Sequence, residues 1–292
     1  MTASGDPPVA LSIAGSDSGA GAGIQADIKT MGALGVLATT AITAVTAQST
    51  VEVREVLHVP PSMVDAQIGA VVDDMDVVAV KTGMLGTPDV VETVTRRAVA
   101  GDLPRLVVDP VMVASTGRAL LVTEGIEAYR RVLLPQALIV TPNLWEAALL
   151  AGIDPAPGET LADVAAMVEA ARRIHDLGPA WVLVKGGHLP GVGVPGHPDA
   201  PEVVSDVLFD GSEVTIVSQP LVDTANTHGT GCSLSAAITA ELALGATVPD
   251  AVDAARAFVH RALVGGASWR LGRGHGPLDH LDWSSRSPKT TA

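Results

Sequence analysis

Val9-Ala10-Leu11-Ser12-Ile13-Ala14, running into Gly15-Ser16-Asp17-Ser18-Gly19-Ala20-Gly21-Ala22-Gly23, is the stretch on which the fold turns. Its first six residues are mostly apolar and read as a short buried strand. The glycine-rich run ends that strand. Ile24, Ile28, Met31 and Leu34 then recur at helical spacing, and Gly35 supplies a C-terminal stop. A strand, a glycine loop and a helix in succession form the opening unit of a doubly wound α/β fold. Residues 1–8 before it read as a loose leader.

Outward from this unit the same alternation continues. Strands are expected at 36–45, 51–59, 76–80, 105–108, 138–140 and 181–184. Pro60-Pro61-Ser62 starts a helix with Val64, Ile68, Val71, Val72 and Met75 on one face. Thr87-Pro88 reads as an N-cap followed by proline at the first helical position. Further helices are expected from Thr123 to Leu134, from Asn143 through Leu150 and from Leu161 to Leu177, the last with Leu161, Val164, Val168, Ala171 and Ile174 inward. Residues 203–209 and 214–217, joined through Asp210-Gly211, read as a β-hairpin. The Gly/Pro-rich segment 189–202 between them and the preceding strand reads as a surface loop or flap. A long last helix is expected at 249–267. The expectation is a three-layer α/β/α domain over 9–283, with a mostly parallel sheet, helices on both faces and right-handed crossovers. The polar tail, 284–292, is expected to be disordered.

Composition narrows the function. Of 292 residues 47% are hydrophobic but only 2% aromatic, so Ala, Val, Leu and Ile must build the core. The single cysteine excludes an internal disulfide framework and a cysteine zinc site. No signal segment and no run of about 18 apolar residues occurs, so a cytoplasmic protein is expected. A formal charge of −14 argues against nucleic-acid or anionic-membrane binding, which need a basic face. An anionic small ligand remains compatible, because a helix dipole, a lysine or Mg²⁺ can reverse the potential inside a cleft.

In an open parallel sheet, ligands bind beyond the carboxyl ends of the strands. Polar and glycine-rich clusters fall at those expected ends: residues 15–23, Gln48, 81–84, 109–112, Asn143, 185–188 and 226–232. In the last of these, Gly229-Thr230-Gly231-Cys232 stands where a small-residue helix begins. Free N–H groups and the positive end of the helix dipole make such a start an anion cradle, and the same field favours a thiolate at Cys232. The other reading is an ordinary glycine loop before a packed helix, with Cys232 a small buried residue. Nucleotide motifs do not resolve the matter. No G-x-x-x-x-G-K-[ST] occurs. Gly191-Val192-Gly193-Val194-Pro195-Gly196 follows no strand directly and contains proline, and Ala47-Gln48-Ser49 stands where a dinucleotide fold carries an acidic residue.

Eight motifs in order carry a family resemblance: Ile13-Ala14-Gly15-Ser16-Asp17-Ser18, Gly23-Ile24-Gln25-Ala26-Asp27, Thr46-Ala47-Gln48, Lys81-Thr82-Gly83-Met84-Leu85, Asp109-Pro110-Val111-Met112-Val113-Ala114, Thr141-Pro142-Asn143, Lys185-Gly186-Gly187-His188 and Asn226-Thr227-His228-Gly229-Thr230-Gly231-Cys232. Together they resemble the hydroxymethylpyrimidine/phosphomethylpyrimidine kinases of thiamine biosynthesis, in the ribokinase-like superfamily. The resemblance implies a homodimer and two successive phosphorylations dependent on ATP and Mg²⁺, first of the pyrimidine hydroxymethyl group and then of the monophosphate. It places Gln48, Gly15, Asp27, Met84 and Val111 in the substrate pocket. Asn143 and Glu146 fall near the phosphates and Mg²⁺, with Glu146 acting on the metal indirectly. Lys185, Gly229, Thr230 and Gly231 fall around the ATP phosphates and anion hole, and Cys232 at the catalytic base.

Three features depart from the family pattern: Ser115 stands where a lysine is frequent, Trp145 replaces a smaller residue or proline between Asn143 and Glu146, and the 189–202 loop is longer. A pyridoxal kinase on the same scaffold and a non-catalytic pyrimidine sensor are the competing readings, with Gln48 and Met84 favouring the pyrimidine.

Overall fold

The computed structural model describes residues 5–112, 123–153, 160–187 and 202–286. Strand and helix alternate from Val9 onward: β1 (Val9–Asp17), α1 (Gly23–Ala33), β2 (Leu37–Gln48), β3 (Val53–His58), α2 (Pro61–Val72), β4 (Val77–Thr82), α3 (Pro88–Val99), β5 (Leu106–Val108), α4 (Thr123–Ala128), β6 (Ile139–Val140), α5 (Leu144–Leu150), α6 (Val164–His175), β7 (Trp181–Val184), β8 (Val203–Phe209), β9 (Val214–Pro220), α7 (Thr230–Ala243) and α8 (Val248–Gly266). One sheet in the order β3-β2-β1-β4-β5-β6-β7-β8-β9 collects the strands. The pairs from β2 across to β7 are parallel; β3, β8 and β9 join antiparallel at the two edges.

Side-chain alternation along the central strands builds a core on each face. Leu11, Ile13, Val80, Leu106, Val108, Val140, Val182 and Val184 point to one side, against Val64 and Ile68 of α2, Val90, Val91 and Val94 of α3, and the inner faces of α5 and α6. Ala79, Val107, Ile139 and Leu183 point to the other, against α7 and α8, while Ala10 packs with Met31 of α1 and α7. Small residues on α7 (Ala236, Ala237, Ala240) allow that helix to lie close to the sheet, as a core with so few aromatics requires.

Several boundaries differ from the sequence reading. Strand β2 runs on to Gln48 because β3 folds back antiparallel on it, with Val53 paired to Gln48. The helix expected from Thr123 to Leu134 is a short α4 followed by a π turn over Tyr129–Leu133, where Tyr129 is fully buried and donates to Gly83 O at 3.3 Å. Helix α6 starts at Val164, since Asp163 caps it through Ala166 N, and leaves Leu161 outside. On α1 the inward residues are Ile24, Ala26, Asp27, Thr30 and Met31, while Ile28 is 43% exposed. Residues 284–286, expected in the tail, belong to the described structure, and 287–292 lie outside it. Asp279 accepts from Trp283 N and Ser284 N at 2.8 Å, and Trp283 stacks on Trp269, so residues 283–285 form a 3-10 turn. At the other end Pro8 is already tied down, its carbonyl accepting from Leu37 N. Ser115, His188, the Gly191–Gly196 motif and the 189–201 part of the expected loop lie outside the described residues.

Candidate active site

The strand order reverses direction at β1, which pairs with β2 on one side and β4 on the other. A crevice opens at such a switch point, beyond the carboxyl ends of the strands. The strand-end clusters converge there on a cavity lined by Gly15, Gln48, Met84, Val111, Asn143, Glu146, Lys185, Gly229, Thr230, Gly231 and Cys232, all singled out from the sequence. Asp17, Lys81, Asp109 and His228 line it as well.

Asp27 does not line it. The expected substrate-pocket carboxylate lies below the cavity floor, wholly buried, accepting from Lys81 Nζ at 2.7 and 2.8 Å and from Ser12 Oγ at 2.6 Å. Its position on the inward face of α1 points it at β1 and β4 rather than at solvent. Burial disfavours the Lys81 ammonium, but Asp27 more than compensates and holds Lys81 charged, well above the usual lysine value. The cavity floor therefore carries a fixed positive group.

Two glycines allow the loops to meet. β1 bulges between Ala14 and Ser16, and a Cβ on Gly15 would collide with the Met84 methyl. Gly229 has φ 85° and caps α7; a Cβ there would strike the Gly21 carbonyl, so the two glycine loops touch backbone to backbone. The start of this 14-residue helix lines the cavity beside Lys185; Thr230 N already donates to Thr227 O at 3.2 Å, which leaves Gly229 and Gly231 as the backbone positions of the cradle. Thr230 Oγ1 donates to Thr227 O at 2.7 Å, bracing the turn.

The charges behind this wall form a network. Lys185 Nζ lies 3.0 Å from Asp109 Oδ1, and Ser235 Oγ of α7 donates to Asp109 Oδ2 at 3.1 Å. Burial pushes Asp109 up, yet Lys185 and Lys81 outweigh it and hold the carboxyl below the usual range. Asn143 and Glu146 make a reciprocal capping box at the start of α5: Asn143 Oδ1 accepts from Glu146 N and Glu146 Oε2 accepts from Asn143 N, both at 2.9 Å. Burial, helped by Asp109, pushes Glu146 up to about 7 despite Lys185. Trp145 is partly buried and packs against the core without disturbing that box.

Cys232 overturns one expectation. The helix field was expected to favour its thiolate, but burial pushes the thiol up to about 11. Lys81 and a hydrogen bond from the Gly23 backbone pull the other way, while Asp109 and Asp27 add to the rise. Desolvation of a thiolate at this half-buried position outweighs a partial helix charge.

A second cavity lies on the far side of the same wall and shares Asn143, Lys185, Thr227, Thr230 and Gly231 with the first. Val204, Leu221, Val222, Leu234, Val259 and Leu263 make it largely apolar, with Arg256 ion-paired to Asp206 at its edge. Asp206 Oδ1 in turn accepts from Gly186 N at 2.8 Å, next to Lys185. No signal along the chain pointed to this cavity. Its residues come from a hairpin and a long helix whose apolar positions read as ordinary core. Asp17, Lys81, Asp109 and His228 stood inside recognised motifs, and their type was the available signal.

Comparisons with known proteins agree with this arrangement. The profile of the phosphomethylpyrimidine kinase family matches residues 17–279. A hydroxymethylpyrimidine/phosphomethylpyrimidine kinase of Streptomyces coelicolor is 45% identical over 274 residues, 94% of each chain. Among solved structures, a Bacillus subtilis pyridoxal kinase in an ADP complex superposes with a TM-score of 0.82 at 37% identity, covering 96% of this chain and 100% of that one. A phosphomethylpyrimidine kinase from Clostridium difficile 630 superposes at 0.73 with 35% identity, covering 88% and 99%. With a family match over most of its length and a relative at this identity, the chain belongs to the phosphomethylpyrimidine kinase family.

Proposed function

We propose that the chain transfers the γ-phosphoryl group of ATP to the hydroxymethyl group of hydroxymethylpyrimidine, and then phosphorylates the monophosphate to the diphosphate. The observation that carries this reading is the shared wall. Two cavities meet at the N-terminus of α7, so a nucleotide on the apolar side and an acceptor alcohol on the β1 side address the same backbone N–H groups and Lys185. Phosphoryl transfer depends on positioning and charge neutralisation more than on covalent help.

The residues divide the work accordingly. Gly229 and Gly231 offer N–H groups to the transferred phosphoryl, Thr230, whose N–H already donates to Thr227 O, braces the turn between them, and Lys185, steadied by Asp109, neutralises the charge. Gln48, Gly15, Met84 and Val111 hold the pyrimidine; an amide provides both the donor and the acceptor that an aminopyrimidine edge needs. Lys81 supplies the floor charge beside Cys232, and Asp27 acts through Lys81 rather than on the substrate. Cys232 accepts the hydroxymethyl proton. Only the thiolate can do so; because burial pushes the thiol up to about 11, the sulfur's own proton must first pass to solvent, and the thiolate, favoured by Lys81 and the Gly23 N–H, then takes the alcohol proton as the new P–O bond makes it acidic.

No group of three or more His, Cys, Asp or Glu side chains among the described residues could cage a metal. Mg²⁺ binds chiefly through phosphates and water with one or two carboxylates. Of the three carboxylates that line the acceptor cavity, Asp109 and Glu146 stand beside Lys185 and would hold the ion; both Glu146 oxygens already accept backbone N–H groups, so Glu146 would act through water. When bound, Mg²⁺ neutralises charge on the β- and γ-phosphates.

A coupled ADP-release assay on the pyrimidine, its monophosphate and pyridoxal tests the proposal. Turnover of both pyrimidines is expected, and a pyridoxal kcat/KM well above theirs would replace it with the second reading, which the 37% identity to a pyridoxal kinase favours. Pyrimidine binding without ADP formation would instead indicate a sensor. Gln48→Ala is expected to raise the pyrimidine KM about tenfold, the worth of roughly one hydrogen bond, and to leave the ATP KM unchanged. A parallel rise in both constants would remove Gln48 from acceptor recognition. No described helix is long and apolar enough to cross a membrane. A cytoplasmic homodimer is part of the proposal, checked by light scattering at twice the 29.6 kDa chain mass.

A further inference from the structure

The polarity of one side-chain relay at the acceptor cavity can be worked out from its partners. Asp17 Oδ2 accepts from Gly21 N at 3.0 Å and Ala22 N at 2.9 Å, and Oδ1 accepts from Gly19 N at 2.8 Å. His228 Nε2 lies 3.0 Å from the same Oδ2. With two N–H groups already on it, that oxygen has no place for a proton and can only accept. Burial pushes Asp17 up, but His228 and these backbone bonds bring it below the ordinary carboxylate value. His228 Nε2 therefore carries a hydrogen, whether the ring is neutral or cationic, and has no lone pair left.

Gln48 follows from this. Its Nε2 stands 3.3 Å from His228 Nε2, and its Oε1 stands 3.3 Å from Thr46 Oγ1. The first contact sets two donors against each other. The second asks the Thr46 hydroxyl for a hydrogen that it already gives to Ser16 O at 3.0 Å. The two ends of an amide are alike in size and are assigned from their partners. Turning this amide by half a turn cures both faults. Its oxygen then shares the single His228 Nε2 hydrogen with Asp17 Oδ2 in a three-centre bond, the longer arm being the 3.3 Å one, and its nitrogen donates to a Thr46 lone pair.

We propose that Asp17 and His228 are positioning residues that set the direction of the Gln48 amide, oxygen toward His228 and nitrogen toward Thr46. The remaining N–H and lone pair of that amide then face the cavity in one fixed order. A ring nitrogen beside an exocyclic amine docks one way only, with the amine on the His228 side. This consequence rests on the pyrimidine reading above; the amide direction does not. Because His228 adjoins Gly229, the relay also ties ring recognition to the anion loop.

Neutron diffraction from deuterated crystals of the free, full-length protein tests the direction. Deuterium on His228 Nε2 and on the Gln48 atom facing Thr46 is expected. Deuterium on the Gln48 atom facing His228 overturns the proposal, and this outcome does not depend on which vitamin precursor the enzyme phosphorylates. Kinetics supply the second arm. His228→Leu is expected to raise the pyrimidine KM about tenfold, with the ATP KM within about twofold and kcat at saturation falling less than about threefold. His228→Gln, which keeps an N–H donor, is expected to recover most of the loss. An unchanged pyrimidine KM in His228→Leu, or an equal rise in the ATP KM, also overturns it. Should His228→Leu fail to fold, the neutron result on the unaltered protein still decides.

Discussion

Cys232→Ala is expected to lower kcat by roughly 10²–10⁴-fold while the pyrimidine KM and ATP KM stay within about threefold, because a general base contributes in the transition state and little in the ground state. The side chain is the only cysteine of the chain, lies in the first turn of α7 and opens on the cavity between the glycine loops and Lys81. Its thiol near 11 makes it a poor base before substrate binds and a strong one if ionised. The charges that could assist are already in place: the Lys81 ammonium and the Gly23 N–H favour the thiolate, against Asp109 and Asp27. Steady-state kinetics with the coupled assay measures the effect. Turnover near that of the unaltered enzyme would leave Cys232 with a packing role and transfer the proton problem to the substrate's own phosphate or to water.

The second large effect concerns stability. Lys81→Met is expected to cost about 3–5 kcal/mol near neutral pH, the range for breaking a buried ion pair by removing one partner. Both side chains are fully buried, with Asp27 holding Lys81 through both carboxylate oxygens. Methionine fills the space, but leaves Asp27 charged in the core with only Ser12 as a partner. The variant restores stability by taking up a proton on Asp27. Burial already holds Asp27 above the ordinary carboxylate value against the pull of Lys81 and Ser12, and loss of Lys81 raises it further, so stability is retained in acid and lost as pH rises through the raised folded value. The deficit is therefore expected to be largest at alkaline pH and smaller near pH 5, as read by urea unfolding. Removing the charge as well, in Asp27→Leu/Lys81→Met, is expected to recover most of the loss. A single-variant deficit below about 1 kcal/mol, or a double variant no better than the single, would show that the pair is not what holds α1 to the sheet.

Much of the fold was legible before any coordinates. The apolar run Val9–Ala14 ahead of a glycine loop, the Thr87-Pro88 helix start and the Asp210-Gly211 hairpin are local signals, and each stands where the chain's own stereochemistry puts it. The αL requirement of Gly35 at the end of α1 is of the same kind. Helix faces were less legible. On α1, Ile28 was expected inward and Asp27 toward ligand, but Asp27 turned into the core because Lys81 on β4 waits there. Nothing in residues 23–33 announces a partner about fifty positions away, so periodicity favours the greasy residue over the paired one.

The site divides along the same line. Sequence alone determined which strand ends gather the polar and glycine-rich residues that line the cavity, since a glycine run ahead of a helix start at Gly229-Thr230-Gly231 and an amide at Gln48 are local properties of the chain. Tertiary structure decided what depends on several elements meeting: the apolar second cavity from β8, β9 and α8, the Asp109–Lys185 pair across two strands, and the Asp17–His228–Gln48 relay joining residues 17, 48 and 228. It also decided the acidity of Cys232. A helix dipole can be read from the chain, but desolvation is set by how much protein surrounds the sulfur, and that is fixed only when distant segments close over it.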